Sequence, residues 1–399
     1  MSTQPTPTAT TTIDGSQGEG GGQILRNAMS YACILQKPLE ITKIRAKRSK
    51  PGLRAQHLTG LELCAQIGGG VLKGGELHSC EIGYQPNPDG NGSLDSHSVF
   101  TGAIHTAGSI CLLLQAALPC AIFRSTGTRL ILKGGTNADL APQYDYWEQV
   151  FLPMFIQCFQ LSPDIIAPTV LTRGYFPKGG GHVEVECQPW TKPLSALDLT
   201  DRGTIQHIHI RSFHAGKLPK HLAVQMAKSA EKYLQQHLDL SSITIHTDIV
   251  TESSSVGSGL GILLVATTST NCRLGGSTLC RPKQKANEAG AIAAEELVKA
   301  IHQGGCVDEW LQDQLILYMA LANGTSKLLT GCLTLHTGTA IDIAKQMVPG
   351  VQFDIQTVKD GEARAKEGGG AQESEGYGKD GLIHGKHIIT CTGIGFKAS

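Results

Sequence analysis

Aromatic residues make up only 5% of this chain, and the formal net charge is zero at a pI near 7.2. A polyanionic partner therefore has to be held by a local patch, because the molecule as a whole supplies no attractive field. Cysteine is present but unpaired in pattern: twelve residues are scattered singly from Cys33 to Cys391. No C-x-x-C and no Cys/His cluster of zinc-ligand spacing occurs, which argues against a zinc module, a dithiol redox motif or a disulfide scaffold. The longest apolar stretch, "SICLLLQAALPCAIF", is too short to span a bilayer and contains Gln115 and Pro119. The opening "MSTQPTPTATTT" lacks the charged and apolar regions of a secretory leader. These absences lead us to expect a soluble protein of a reducing compartment with no membrane partner.

Glycine, in contrast, is abundant at 48 residues, with no Gly-X-Y period, so it signals tight turns and close backbone approaches. At 399 residues, two domains are expected. Helix-like and strand-like segments alternate, which argues for an α/β or α+β fold. Helices are expected over 22–36, 54–67, 106–117, 143–158, 219–237, 285–303, 308–322 and 338–347. Strands are expected over 39–46, 129–133, 182–187, 204–211, 243–250, 260–268 and 386–396. Residues 1–12 read as disordered, and the Gly- and charge-rich stretch 359–381 as a flexible surface loop. Residues 189–288 read as a smaller α/β unit inserted into a larger domain of 13–188 and 289–399. Lys-Gly-Gly recurs at 73–75, 133–135 and 178–180, a weak hint of an internal repeat.

Four segments could carry chemistry. In "DGSQGEGGGQILRNA" a glycine-rich turn runs into an amphipathic helix, offering backbone N–H groups to a phosphate. It is neither a P-loop, lacking G-K-[ST], nor a G-x-G-x-x-G fingerprint. Glu19 would suit a divalent ion carried by a nucleotide and Arg26 an anionic oxygen; a plain turn with an exposed Glu is the alternative. In "ITKIRAKRSKPGLRAQHL", Lys43, Arg45, Lys47, Arg48, Lys50 and Arg54 fall in twelve residues with no acid between Glu40 and Glu62. On a strand Arg45 and Lys47 would share a face, and with Gln56 and His57 on the next helix they could form an anion site; otherwise the run is a solvated surface. In "VDEWLQDQLILYMALANG", Trp310, Asp313, Gln314 and Leu317 would share one helical stripe suited to a purine, or form only a polar rim. Finally, "GCLTLHTGTAIDIA" places His336 at a strand-to-helix junction among Thr334, Thr337 and Thr339. By itself it reads as well as a satisfied core or surface histidine.

Taken in order, "DGSQGEGGGQILR", "IRAKRSKPGLRAQHLTGLE", "TAGSICLLLQAALPC", "LKGGTNADLAPQ", "TRGYFPKGGG", "LQDQLILYMALANG" and "LTLHTGTAI" resemble the signature stretches of the RNA 3′-terminal phosphate cyclases, over about residues 13–395. The resemblance is closer to the eukaryotic than to the bacterial members. It implies a large domain of three βαβαββ repeats, like the C-terminal domain of translation initiation factor 3 and related to the enolpyruvyl transferases, with a smaller inserted α/β domain. It also implies an activity: ATP-dependent conversion of an RNA 3′-phosphate end to a 2′,3′-cyclic phosphate, with release of AMP and pyrophosphate. Carried over by position, His336 matches the histidine that becomes adenylylated. Gln115, Pro142, Asp313 and Gln314 match nucleotide-site residues, Glu19 matches the acid near a magnesium or manganese ion, and Arg26, Arg45, Arg48, Gln56 and His57 match polar positions that handle phosphates. Trp310 replaces the tyrosine that relatives carry against the adenine. Nuclear residence is implied by the eukaryotic relatives alone. Two other classes compete: a non-catalytic cyclase-like scaffold, expected to lack the histidine, and an enolpyruvyl-type transferase, which would not need an adenylylated one.

Overall fold

In the computed structural model, which describes residues 9–87, 97–358, 377–378 and 380–398, one strand-and-helix unit occurs three times. The first is β1 (Thr11–Asp14), α1 (Gly22–Ile34), β2 (Leu39–Thr42), α2 (Ala55–Ile67), β3 (Val71–Lys73) and β4 (Ile82–Gln85). Its sheet has the order β1-β2-β4-β3, with β1 and β2 parallel and β4 antiparallel to both neighbours. The second unit is β5 (His97–Ala103), α3 (Ile110–Ile122), β6 (Gly127–Gly134), a helical run of α4 (Tyr144–Tyr146), a π-helical stretch (Trp147–Phe151) and α5 (Leu152–Cys158), then β7 (Ile166–Gly174) and β8 (Gly181–Cys187). Its order β5-β6-β8-β7 repeats the first.

A third unit opens with β9 (Asp198–Leu199) and is then interrupted. The interruption holds β10 (Ile205–Ala215), α6 (Lys220–His237), β11 (Thr244–Glu252), β12 (Ser255–Val256), β13 (Leu260–Thr268), β14 (Arg273–Leu279) and α7 (Ala286–Gln303). The unit resumes with α8 (Gln312–Leu321), β15 (Asn323–Thr330), a short β16 (Leu333–Thr334), α9 (Leu335–Met347), β17 (Gln352–Val358), β18 (Leu382–Ile383) and β19 (Lys386–Ile394). Its sheet order, β9-β15-β19-β17, follows the same first-second-fourth-third rule. The fold is mixed α/β, with the βαβαββ unit present three times. Among the described residues no helix is long and apolar enough to cross a membrane.

Several expectations shift. β1 begins at Thr11, inside the stretch read as disordered; residues 1–8 lie outside the described residues, as does most of 359–381. The Lys-Gly-Gly tripeptides do not mark the repeats: they end β3, end β6 and fill the β7–β8 turn, three unequal places. β2 stops at Thr42, because Lys43 and Arg45 take φ of +50° and +52°, so Arg45 and Lys47 do not share a strand face. The helix expected from 308 begins at Gln312, which leaves Trp310 ahead of it. The second core runs from Ile208 to Ile301 and includes α7, while β9 belongs to the third repeat's sheet.

β13 explains how the interruption is seated. "LGILLVA" is apolar at every position, and both faces are buried. Ile262, Leu264 and Ala266 face the second core while Leu263 and Val265 face the large one, which is why the run does not alternate. Beside it lies a buried ionic cluster. Arg173 grips Asp145 (Nη2–Oδ1 2.8 Å, Nη1–Oδ2 3.2 Å), and Glu252 of β11 joins Arg173 and Arg211. Removing one partner leaves a buried charge uncompensated. We expect Asp145→Ala to destabilise the protein by about 3–5 kcal/mol, read from thermal or urea unfolding; an unchanged unfolding midpoint would show that the cluster carries no stability.

Candidate active site

α1 begins where the glycine-rich turn ends, and its first turn is the hub of the site. Gly18 has φ +52°, and a Cβ there would stand 2.4 Å from the Thr339 hydroxyl, so only glycine lets the turn lie against α9. The turn is held by Glu19 N–H donating to Thr339 Oγ1 at 3.0 Å. The Glu19 carboxylate folds back as the cap of α1: Oε1 accepts from the Gln23 N–H at 3.0 Å, and Oε2 from Arg48 Nη2 at 3.0 Å. A carboxylate at a helix N-terminus is favoured by the free N–H groups there. Of the backbone N–H groups at the start of α1, that of Gln23 is thus already engaged by Glu19.

His336 lies in the first turn of α9. Thr334 caps that helix by accepting from the Thr337 N–H at 3.1 Å. Buried Gln312 accepts from the Thr337 hydroxyl at 2.8 Å and from the Thr334 N–H at 3.3 Å, and donates to the Cys332 carbonyl. Thr339 donates to the Leu335 carbonyl at 2.8 Å. The three threonines therefore build the helix start, and the ring is oriented by another residue. His336 Nδ1 lies 2.9 Å from Gln23 Oε1, and Gln23 Nε2 donates to Asp313 Oδ2 at 2.6 Å.

With the Gln23 amide in this orientation, the bonds assign the tautomer. Because Oε1 can only accept, Nδ1 carries the proton and Nε2 keeps its lone pair. Desolvation, reinforced by Arg26 and Arg48, holds the His336 pKa below its usual value, against the opposing pull of Glu19. Burial pushes the Asp313 carboxyl up to about 7, despite Arg26. His57 has the opposite arrangement. Its Nδ1 accepts from the Arg54 N–H at 3.1 Å, capping α2. Burial and then Arg45, Arg26 and Arg54 bring its pKa down to about 3. It is a neutral ring with a donating Nε2–H, beside Gly22 and Arg26.

Two adjoining clefts flank α1. One, an open cleft of about 380 Å³ counting its solvent-filled mouth, is lined by Gln23, Asn27, Gln115, Asp313 and Gln314, with Trp147, Phe151 and Tyr318 among its walls. The other, about 280 Å³, is lined by Arg26, Gln56, His57, Gly22 and apolar neighbours. Of the twelve residues singled out in the sequence, Gln115, Asp313, Gln314, Arg26, Gln56 and His57 line these clefts; His336 and Glu19 are bonded to the lining residue Gln23, and Arg48 to Glu19, whereas Trp310 and Pro142 line neither. Trp310 donates its indole N–H to Glu296 at 2.6 Å, and Pro142 is buried ahead of α4. Arg45 lies in the neighbouring basic loop but is occupied as a staple, donating to the Lys50 and Gly52 carbonyls at 2.7 and 2.9 Å. Sequence reading missed Gln23, Asn27, Trp147 and Phe151. The aromatic ladder at 144, 147, 151, 155 and 159 was a usable signal, with successive rings 5.4–6.0 Å apart.

Comparison with known proteins bears on the whole chain. The family model for RNA 3′-terminal phosphate cyclase matches residues 17–355. A Drosophila melanogaster protein named RNA 3′-terminal phosphate cyclase is 38% identical over 343 residues, 86% of this chain and 92% of its own. A Dictyostelium discoideum protein named as a probable RNA 3′-terminal phosphate cyclase is 36% identical over 390 residues, 96% of this chain and 83% of its own. An archaeal protein of the same name, from Desulfurococcus amylolyticus, stands level at 36% over 387 residues, 96% of this chain and 98% of its own. With the repeated βαβαββ unit and the convergence of glycine turn, basic loop and His336 on α1, this places the chain in the RNA 3′-terminal phosphate cyclase family.

Proposed function

We propose that this chain is an RNA 3′-terminal phosphate cyclase that works through an adenylylated His336. The observation that carries the reading is the Asp313–Gln23–His336 relay, which presents a neutral ring with its Nε2 lone pair free beside a cleft and two arginines. Nε2 attacks the α-phosphorus of ATP; a P–N bond forms and the P–O bond to pyrophosphate breaks. An oxygen of the RNA 3′-phosphate then takes the adenylyl group from the ring. The adjacent 2′-OH attacks the activated phosphate, closing the cyclic ester and expelling AMP, a step favoured by its intramolecular geometry.

In this reading the 380 Å³ cleft takes the nucleotide, with Gln115, Gln314 and Asn27 offering polar contacts to base or ribose and Trp147 and Phe151 supplying apolar wall. The cleft of Arg26, Gln56 and His57 takes phosphate oxygens through the guanidinium and the neutral Nε2–H. Contact between the nucleotide and Trp310 or Pro142 does not enter the proposal. A magnesium or manganese ion fits Glu19: a single carboxylate suits a cation that keeps waters and phosphate oxygens as its other ligands. When bound, such an ion offsets triphosphate charge; Arg48, which already pairs with Glu19, orients that carboxylate.

Incubation with α-³²P ATP should label the wild-type protein in acid-labile form, and His336→Ala should reduce both the label and the conversion of 3′-phosphate RNA to background. Label persisting on the variant would refute the nucleophile; an unlabelled wild type would favour the scaffold reading. Gln23→Leu, which removes the tautomer control while keeping a side chain of similar size at that position of the cleft wall, should slow self-adenylylation by about a hundredfold in single-turnover kinetics; an unchanged rate would exclude the relay. The pH profile follows from the lowered His336 pKa. Its neutral form persists below pH 6.5, so the acid limb of adenylylation should lie under that value. Arg26→Gln removes a charge that lowers the pKa and should move the limb upward; a wild-type limb at or above 6.5 would contradict this.

A further inference from the structure

We propose that the sheet of the interrupting segment carries a transition-metal site formed by His209, His246 and Asp248. This goes beyond the cyclase reading, since none of the three lines either cleft. β10 and β11 run parallel with His209 opposite His246. Residues opposed in a ladder project from the same face, and Asp248 returns to that face two residues after His246. One ligand atom from each residue lies within 4.8 Å of the others. The rings stack with centroids 5.6 Å apart, and both Nε2 atoms aim at one carboxylate, His209 at 2.9 Å from Oδ2 and His246 at 3.1 Å from Oδ1.

Two imidazoles and a carboxylate are the donor set of borderline divalent ions such as Zn²⁺, Co²⁺ or Ni²⁺; Mg²⁺ and Ca²⁺ prefer oxygen alone. On binding, each ring proton resides at Nδ1 and Nε2 becomes the ligand atom, so each ring coordinates as a neutral imidazole. Side-chain exposures of 35%, 71% and 49% leave the remaining coordination positions to water. Arg211, which is opposite Asp248 in the ladder, is already taken up by Glu252 and Asp145. β11 is the edge strand of its sheet, so the ion would clamp that edge to β10.

Cobalt titration of the full chain tests the site. We expect one equivalent of Co²⁺ to give visible d–d bands without the near-ultraviolet band of thiolate ligation, a distinction needed with twelve cysteines present. Zn²⁺ should displace it. His246→Ala and Asp248→Ala should each weaken binding by about tenfold or more, with circular dichroism and ATP-dependent self-labelling unchanged. Bands that survive in both variants, a thiolate signature, or no cobalt uptake by the wild type would overturn the proposal.

Discussion

An amide side chain has one end that only accepts and one that only donates, and Gln23 uses both. Its oxygen faces His336 on α9 and its nitrogen faces Asp313 on α8, so α1 of the first repeat is tied to two helices of the third. Turning the amide over would set Nε2–H against an imidazole and the oxygen against a carboxylate. Gln312 has the same role in a deeper layer, holding the start of α9 through Thr334 and Thr337. Together the two glutamines place a titratable ring with little freedom to rotate.

The electrostatics follow from that placement. A chain of zero net charge gathers Arg26, Arg48 and Arg54 around two histidines, and both rings are held neutral. They differ in tautomer: His57 accepts through Nδ1 and can donate through Nε2, whereas His336 donates through Nδ1 and retains a lone pair at Nε2. The same residue type is thereby prepared as a phosphate donor in one cleft and as a nucleophile beside the other.

How much of this was legible depended on how local each feature is. α1 and α2 were placed within two residues because their apolar periodicity and the flanking Gly and Pro are local signals. Arg45 was misplaced because left-handed backbone at Lys43 and Arg45 cannot be read from residues that rarely adopt it. Trp310 was put on a helical stripe by spacing alone, while its indole goes to Glu296, a residue fourteen positions earlier in chain order. Gln23 passed unnoticed since a polar residue on an amphipathic helix carries no mark of its distant partners.

By itself the sequence determined the mixed α/β class, the glycine turn ahead of α1, the concentration of positive charge over 43–54 and the short-range setting of His336, all of which depend on neighbours along the chain. Tertiary structure alone decided the tautomer of His336, the engagement of Glu19 by Arg48, the division into two clefts and the use of β13 as a wall between two cores. Those outcomes rest on contacts between residues far apart along the chain, from 29 positions for Glu19 and Arg48 to 313 for Gln23 and His336, and hydrogen-bond polarity acts only once the fold has brought the partners within reach.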